Sequence, residues 1–260
     1  MADTKQALIE HLNELRKTLV YCVIVLAVSF VLVFAFFCDP LMDILLAPIR
    51  KIGVELVYTT LTEVWVVKMK VSFIAGFVLS FPVISFFFWR FLRPALYANE
   101  KRMFAAVYFS SLFLFILGVC FAFIAVLGLS INFFISFGSG TAEPMLSISK
   151  VVSYMMSFII PFGLVFLLPL AVYILTKIGI LSPAILVKSR KYVIVILAIL
   201  AAILTPPDII SQLLLLFPML LLWEISVFIA KRVKVNKDRR EATESLTAGM
   251  KKDESKSTTE

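Results

Sequence analysis

The sequence predicts an all-α fold: a polytopic membrane protein with six transmembrane helices, both termini cytoplasmic, and short fifth and sixth helices forming a concave scaffold. Three observations predict it. Of 260 residues, 61% are hydrophobic and only 16% charged, and the mean hydropathy is +1.01. Soluble domains run near half apolar and about a quarter charged, so a chain this apolar has lipid as its solvent. The apolar residues also fall into six runs, and the bases fall on alternate connections between them. This composition excludes an ordinary cytosolic enzyme, a secreted disulfide scaffold and a disordered chain. The net charge of +8 then reads as a topology signal rather than a nucleic-acid footprint.

The first run is Leu19–Phe37. The polar start MADTKQALIE lacks the basic-then-apolar pattern of a cleaved signal, so this span stays in the membrane. After it, Leu41, Ile44, Leu45, Ile49 and Ile52 recur at helical spacing and predict a short helix lying on the outer surface. Asp39-Pro40 and Pro48 punctuate that helix. The second run is Val71–Trp89, with a helix that can start as early as Glu63. The third, Met103–Leu127, leads into a turn-rich loop with Gly138-Ser139-Gly140 and Glu143-Pro144. The fourth is Val151–Thr176, where Pro161, Gly163 and Pro169 predict a bend.

The fifth run, Tyr192–Leu204, has only thirteen residues, about 20 Å of helix against about 30 Å of hydrocarbon. It reads as a true but short span rather than a re-entrant segment, because the sixth run, Ile209–Ala230, is full length. The turn Thr205-Pro206-Pro207-Asp208 reverses the chain between them. From about Val233 the sequence is polar and mixed in charge, which predicts disorder. The membrane domain is therefore 1–232 and the cytoplasmic tail 233–260.

Charge sets the orientation. With six spans, the N-terminus, second loop, fourth loop and tail share one side and hold twenty of the 25 bases. By the positive-inside rule that side is cytoplasmic. Without the tail the excess is still eleven to five, so the orientation does not rest on the tail.

Chemistry has little to work with inside the membrane. The first five runs contain no Asp, Glu, Lys, Arg or His, and the sixth contains only Glu224 near its cytoplasmic end. Ion-coupled carriers place such groups at mid-membrane. No metal-ligand set, cofactor motif or catalytic triad is present. His11 is the single histidine, and Cys22, Cys38 and Cys120 read as small hydrophobes. No enzyme activity and no cofactor are expected. The juxtamembrane acids Glu14 and Glu100 are the exceptions. Either can hold a partner's arginine in a charge-assisted contact. Glu14 can equally pair with Lys17 at i+3, and Glu100 can offset Lys101 and Arg102.

The segment His11-Leu12-Asn13-Glu14-Leu15-Arg16-Lys17 resembles the N-terminal HLxELR signature of the TatC family, the receptor subunits of the twin-arginine protein translocase. The stretch from Phe91 through Arg93, Pro94, Leu96, Tyr97 and Glu100 to Arg102 resembles that family's first cytoplasmic loop. Ala47-Pro48, Ser80-Phe81-Pro82-Val83 and Thr205-Pro206-Pro207-Asp208 with Ser211-Gln212 match further family positions in order. The resemblance runs from about Leu8 to Lys231.

That resemblance implies a receptor of the bacterial plasma membrane. It would bind Arg-Arg signal peptides of folded precursors on the cytoplasmic face and assemble with single-span partners of the TatA and TatB type. The proton-motive force would drive transport. Glu14 and Glu100 would hold the two arginines, with Phe91, Pro94, Leu96, Tyr97, Leu12 and Arg16 shaping the rest of the site. Pro48, Pro82, Asp208 and Gln212 would serve partner contacts or structure; Asp208 can also simply cap the sixth helix. Self-association is a further option, and no nucleic acid is implied. Family members often carry Glu or Gln shortly before the fourth-helix proline, whereas here Leu167 occupies that position within an apolar stretch. The alternative function is a small-solute transporter with a broken fourth helix. It predicts a mid-membrane polar site, which this sequence lacks.

Overall fold

The structure, a computed structural model, describes residues 2–53, 55–96, 101–138, 145–204 and 209–257, with side chains over 13–53, 55–92, 103–134, 136, 145–204 and 209–235. The chain forms two compact units, Met1–Leu167 with Leu200–Leu215, and Leu168–Ile199 with Leu216–Glu260. It is an all-helical polytopic membrane protein. Among the described residues, five helices are long and apolar enough to cross a bilayer: Asn13–Lys51, Glu63–Leu92, Met103–Phe134, Ile148–Ile178 and Ile209–Val235.

In the first unit, α1 (Ala2–Leu32) passes through a π-helical turn at Val33–Phe37 into α2 (Cys38–Lys51). The surface helix expected after Asp39-Pro40 is thus a continuation of the first helix. Pro40 sits in the first turn of α2, where a missing N–H costs nothing. The π turn at Val33–Phe37 takes up the change of register, and Phe37, with φ −120° and ψ 0°, marks the joint between the two helices. Nor does α2 simply lie on the surface, because Leu45, Leu46 and Ile49 are buried.

Helix α3 (Glu63–Leu96) runs antiparallel to α1. Phe34 stacks on Trp65 at 5.4 Å and Tyr21 on Phe87 at 5.5 Å. Between those pairs the backbones nearly touch: a methyl on Gly76 would stand 2.9 Å from Phe30 Cα. Small residues at such crossings let membrane helices pack by van der Waals contact, which matters where lipid removes the hydrophobic drive. Helix α4 (Lys101–Phe121) continues through a π turn at Ala122–Val126 into α5 (Leu127–Gly138). It packs on α3 through the Phe81–Phe115 stack, centroids 3.6 Å apart, and on α6 (Ile148–Val165). A Cβ on Gly118 would meet Phe162 O at 2.6 Å, and one on Gly163 would meet the Phe115 ring at 2.7 Å. Strands β1 (Leu56–Val57) and β2 (Leu146–Ser147) pair in parallel, Leu56 opposite Leu146.

The fourth span is interrupted, as its prolines predict. Pro161 and Gly163 stay inside α6, and the break falls at Phe166–Leu167. Pro169 has no N–H to give, and its ring clashes with the carbonyl four residues back. Leu167 N–H instead donates to Leu164 O at 3.0 Å. Leu167 therefore occupies a helix break, where the backbone rather than a polar side chain is the unusual feature.

In the second unit, α7 (Leu168–Ile178) ends at Gly179, whose φ of +92° suits glycine. Helix α8 (Pro183–Lys188) is capped by Ser182. It packs Leu186 with Val172, Val227 and Ala230, flanked by Leu181 and Trp223. Helix α9 (Arg190–Leu204) has 15 residues, about 22 Å at 1.5 Å per residue. Of the two helices expected to be short, only this one is: α10 (Ile209–Ser257) has 49 residues. The helix thus continues through the segment whose composition predicted disorder. Glu, Lys, Arg and Ala, all strong helix formers, recur along that segment.

Candidate functional site

Of the predicted site residues with described side chains, Glu14, Arg16 and Phe91 lie at one end of the first unit, whereas Pro48, Pro82 and Gln212 lie away from it. From the Tyr21–Phe87 stack, Glu14 lies seven residues further along α1, about 10 Å. Phe91 lies four residues beyond Phe87 on the antiparallel helix, about 6 Å in the same direction. Helix α4 starts there too. Ser111 bonds to Ser85 and Trp89 of α3, so Lys101 at the head of α4 belongs to the same end. Glu14 and Arg16 are exposed, and Phe91 is half-buried. Leu12, Pro94 and Leu96 are helical, and their side chains lie outside the described residues. So do Tyr97, Glu100 and Asp208 altogether.

What holds α3 and α4 together beneath this end is a buried hydroxyl. Ser111 is 1% exposed and donates to Tyr108 O at 2.7 Å. Its oxygen is therefore the acceptor for the Ser85 hydroxyl at 2.8 Å and the Trp89 indole N–H at 3.1 Å. In an apolar surrounding such groups need partners, and here one serine satisfies two others. Pro82 joins the same contact: its carbonyl accepts from Tyr108 OH at 3.3 Å. Pro48 lies inside α2 and is half-buried. Gln212 is half-buried beside Ser211, which bonds to the Tyr154 hydroxyl at 2.7 Å.

The opposite end of α3 carries a cluster that sequence reasoning missed. Glu63 is 6% exposed. Its carboxylate accepts from Thr59 N–H at 2.6 Å, Thr59 Oγ1 at 2.9 Å and Ser149 N–H at 3.0 Å, and from the Ser147 hydroxyl. The apolar run Val71–Trp89 begins only after Lys68 and Lys70, so Glu63 lies outside the lipid. The Ser147 hydroxyl, then the Thr59 and Ser149 amides, hold its pKa at about 2 against an ordinary 4.5. One carboxylate thus ties the α3 start to the loop before it, to β2 and to the first turn of α6. Lys70 adds a bond to Ser153 Oγ at 2.8 Å, and Lys68 pairs with Asp39 at 2.7 Å.

Among the described residues no three His, Cys, Asp or Glu side chains gather to hold a metal ion. The described part of the Glu14 end presents an exposed carboxylate, Glu14, with the exposed base Arg16 and the half-buried ring of Phe91.

Comparison with known proteins agrees with the motifs. A family model described as Sec-independent protein translocase protein (TatC) matches residues 10–218. The TatC protein of Carboxydothermus hydrogenoformans is 40% identical over 235 residues, covering 90% of this chain and 96% of that protein. That of Aquifex aeolicus is 39% identical over 228 residues, covering 86% and 94%. That of Escherichia coli K12 is 36% identical over 232 residues, covering 88% and 90%. A crystal structure described as the twin arginine translocase receptor TatC superposes with a TM-score of 0.81 at 38% identity, covering 86% of this chain and 99% of that one.

Proposed function

Since the chain belongs to the TatC family of Sec-independent protein translocase proteins, we propose that it is the receptor subunit of a twin-arginine translocase. It binds the Arg-Arg motif of precursor signal peptides through Glu14 and Glu100. The observation that carries this reading is the shared end of the first unit, where Glu14 stands exposed beside the C-terminal end of α3 and the start of α4. Residues 97–100, Tyr97 and Glu100 among them, join those two helix ends. Two guanidiniums need two carboxylates in fixed geometry, and Phe91, Pro94, Leu96 and Leu12 are the apolar positions of the same two motifs. Arg16 sets the charge balance around Glu14.

The protein acts by recognition and assembly rather than catalysis. Single-span TatA and TatB type subunits are its partners, with Pro48, Pro82, Asp208 and Gln212 as contact or shaping positions. The proton-motive force drives passage. Its location is the bacterial plasma membrane, with both termini inside and α9 as the short fifth of six crossings. The solute-transporter alternative has no support among the relatives, which are named as protein translocase subunits.

The test is crosslinking of a photoreactive Arg-Arg signal peptide to membranes carrying Glu14→Lys with Glu100→Lys. The double variant inserts normally and loses the crosslink. Unchanged crosslinking in the inserted double variant overturns the assignment.

A further inference from the structure

Among its described side chains, the second unit has many bases and one acid. From Leu168 to Ile199 and from Leu216 to Val235 the sequence carries seven bases and a single carboxylate, Glu224. That carboxylate is already engaged: its Oε2 accepts from the Arg190 guanidinium at 2.7 Å. The pair fixes the start of α9 against α10. Leu186 packs with Val227 and Ala230, which fixes α8 against the same stretch of α10. Lys188 closes α8, Lys191 follows Arg190, and Lys231 and Arg232 follow Ala230. These four cations therefore share one end of the unit, and all four are exposed.

Aromatic rings lie beside two of them. Lys191 Nζ is 5.1 Å from the Tyr192 ring centroid, and the Arg232 guanidinium is 5.1 Å from that of Phe228. Both rings are themselves open, Tyr192 at 60% and Phe228 at 57%. Exposed Ile194, Val195 and Ile225 continue the apolar flank away from the charges. Cations at a rim, rings at the boundary and bare aliphatic surface below make the profile of a headgroup site with room for acyl chains. A soluble phosphate would use only the cations and leave the apolar flank uncovered.

We propose that this end of the second unit binds anionic phospholipid. Lys188, Lys191, Lys231 and Arg232 hold the headgroup phosphates, and the acyl chains lie along Tyr192, Phe228 and the aliphatic side chains beyond them. The site uses none of the residues assigned to the signal peptide, so the two readings fail independently.

The experiment uses the full chain in detergent, titrated with phosphatidylglycerol, phosphatidylcholine or inorganic phosphate. Thermal unfolding and native mass spectrometry are the readouts. Phosphatidylglycerol raises the unfolding midpoint and stays bound; phosphatidylcholine and phosphate do neither. Combined Lys188→Gln, Lys191→Gln, Lys231→Gln and Arg232→Gln weakens phosphatidylglycerol binding about tenfold or more. Lys51→Gln with Lys150→Gln, at exposed bases of the other unit, leaves it unchanged. Single Lys188→Gln and Lys231→Gln variants each show a partial loss, which keeps the test open if the fourfold variant does not fold. The proposal is overturned by an equal response to phosphatidylcholine, by the same midpoint shift from phosphate, or by retained affinity in the folded Gln variants.

Discussion

At the scale of single residues, Glu63 and Glu14 show two settings of a carboxylate on one membrane protein. Glu63 is buried and accepts from Thr59, Ser147 and Ser149, a structural tie; Glu14 is exposed. The tie has a pH signature. Glu63 is held at about 2, below its value in an unfolded chain, so its contribution is full above about pH 5. It is lost as the pH falls from about 4.5 toward 2. Glu63→Gln should therefore lower the unfolding temperature at pH 6, and the gap to the parent protein should narrow between pH 5 and pH 3. A constant gap across that range would mean that ionised Glu63 is not the stabilising species. The sequence marks Glu63 only as a helix start, because its decisive partners lie 84 and 86 residues away.

At the scale of elements, close helix crossings and shared hydroxyls hold the first unit together. Gly118→Ala places a methyl 2.6 Å from Phe162 O, a backbone atom that cannot swing aside. The expected cost is about 1–3 kcal/mol, from overpacking. Gly128→Ala, with open space around its Cβ, should be neutral or slightly stabilising by the reduced entropy of the unfolded chain. Thermal unfolding of the two variants side by side checks the contrast. Ser111→Ala strands two donors, Ser85 and Trp89, and should cost about 1–2 kcal/mol by the same measurement. Helix existence and order are legible in the sequence because apolar runs of span length have few other fates in lipid. The joint between α1 and α2 is not. Asp39-Pro40 looks like a loop locally, and only packing of Leu45, Leu46 and Ile49 favours a π turn over a break.

At the scale of the whole molecule, the distribution of bases governs which way the chain inserts. With six crossings and positive charge inside, alkaline phosphatase fused after Ile52 or Pro207 should be active. Fusions after Leu96 or Ser182 should be inactive. The pair Ser182 and Pro207 isolates α9: equal activity at both would mean that its 15 residues do not cross. A 22 Å helix in about 30 Å of hydrocarbon crosses only where the bilayer thins or the helix ends are covered.

The sequence by itself determined the solvent, the helical class, the order of the spans and the family, because each rests on composition, periodicity or short contiguous motifs. Leu12 through Arg16 and Phe91 through Glu100 carry the family resemblance for the same reason, as local strings. The tertiary structure decided what depends on distant pairs. It gave Glu63 its partners, made Ser111 the acceptor for Ser85 and Trp89, and placed Gly76, Gly118 and Gly163 at crossings. It brought Leu186 against Val227 and Ala230 by folding α8 onto α10. Such contacts join residues tens of positions apart, and no local pattern specifies which face of one helix meets which face of another.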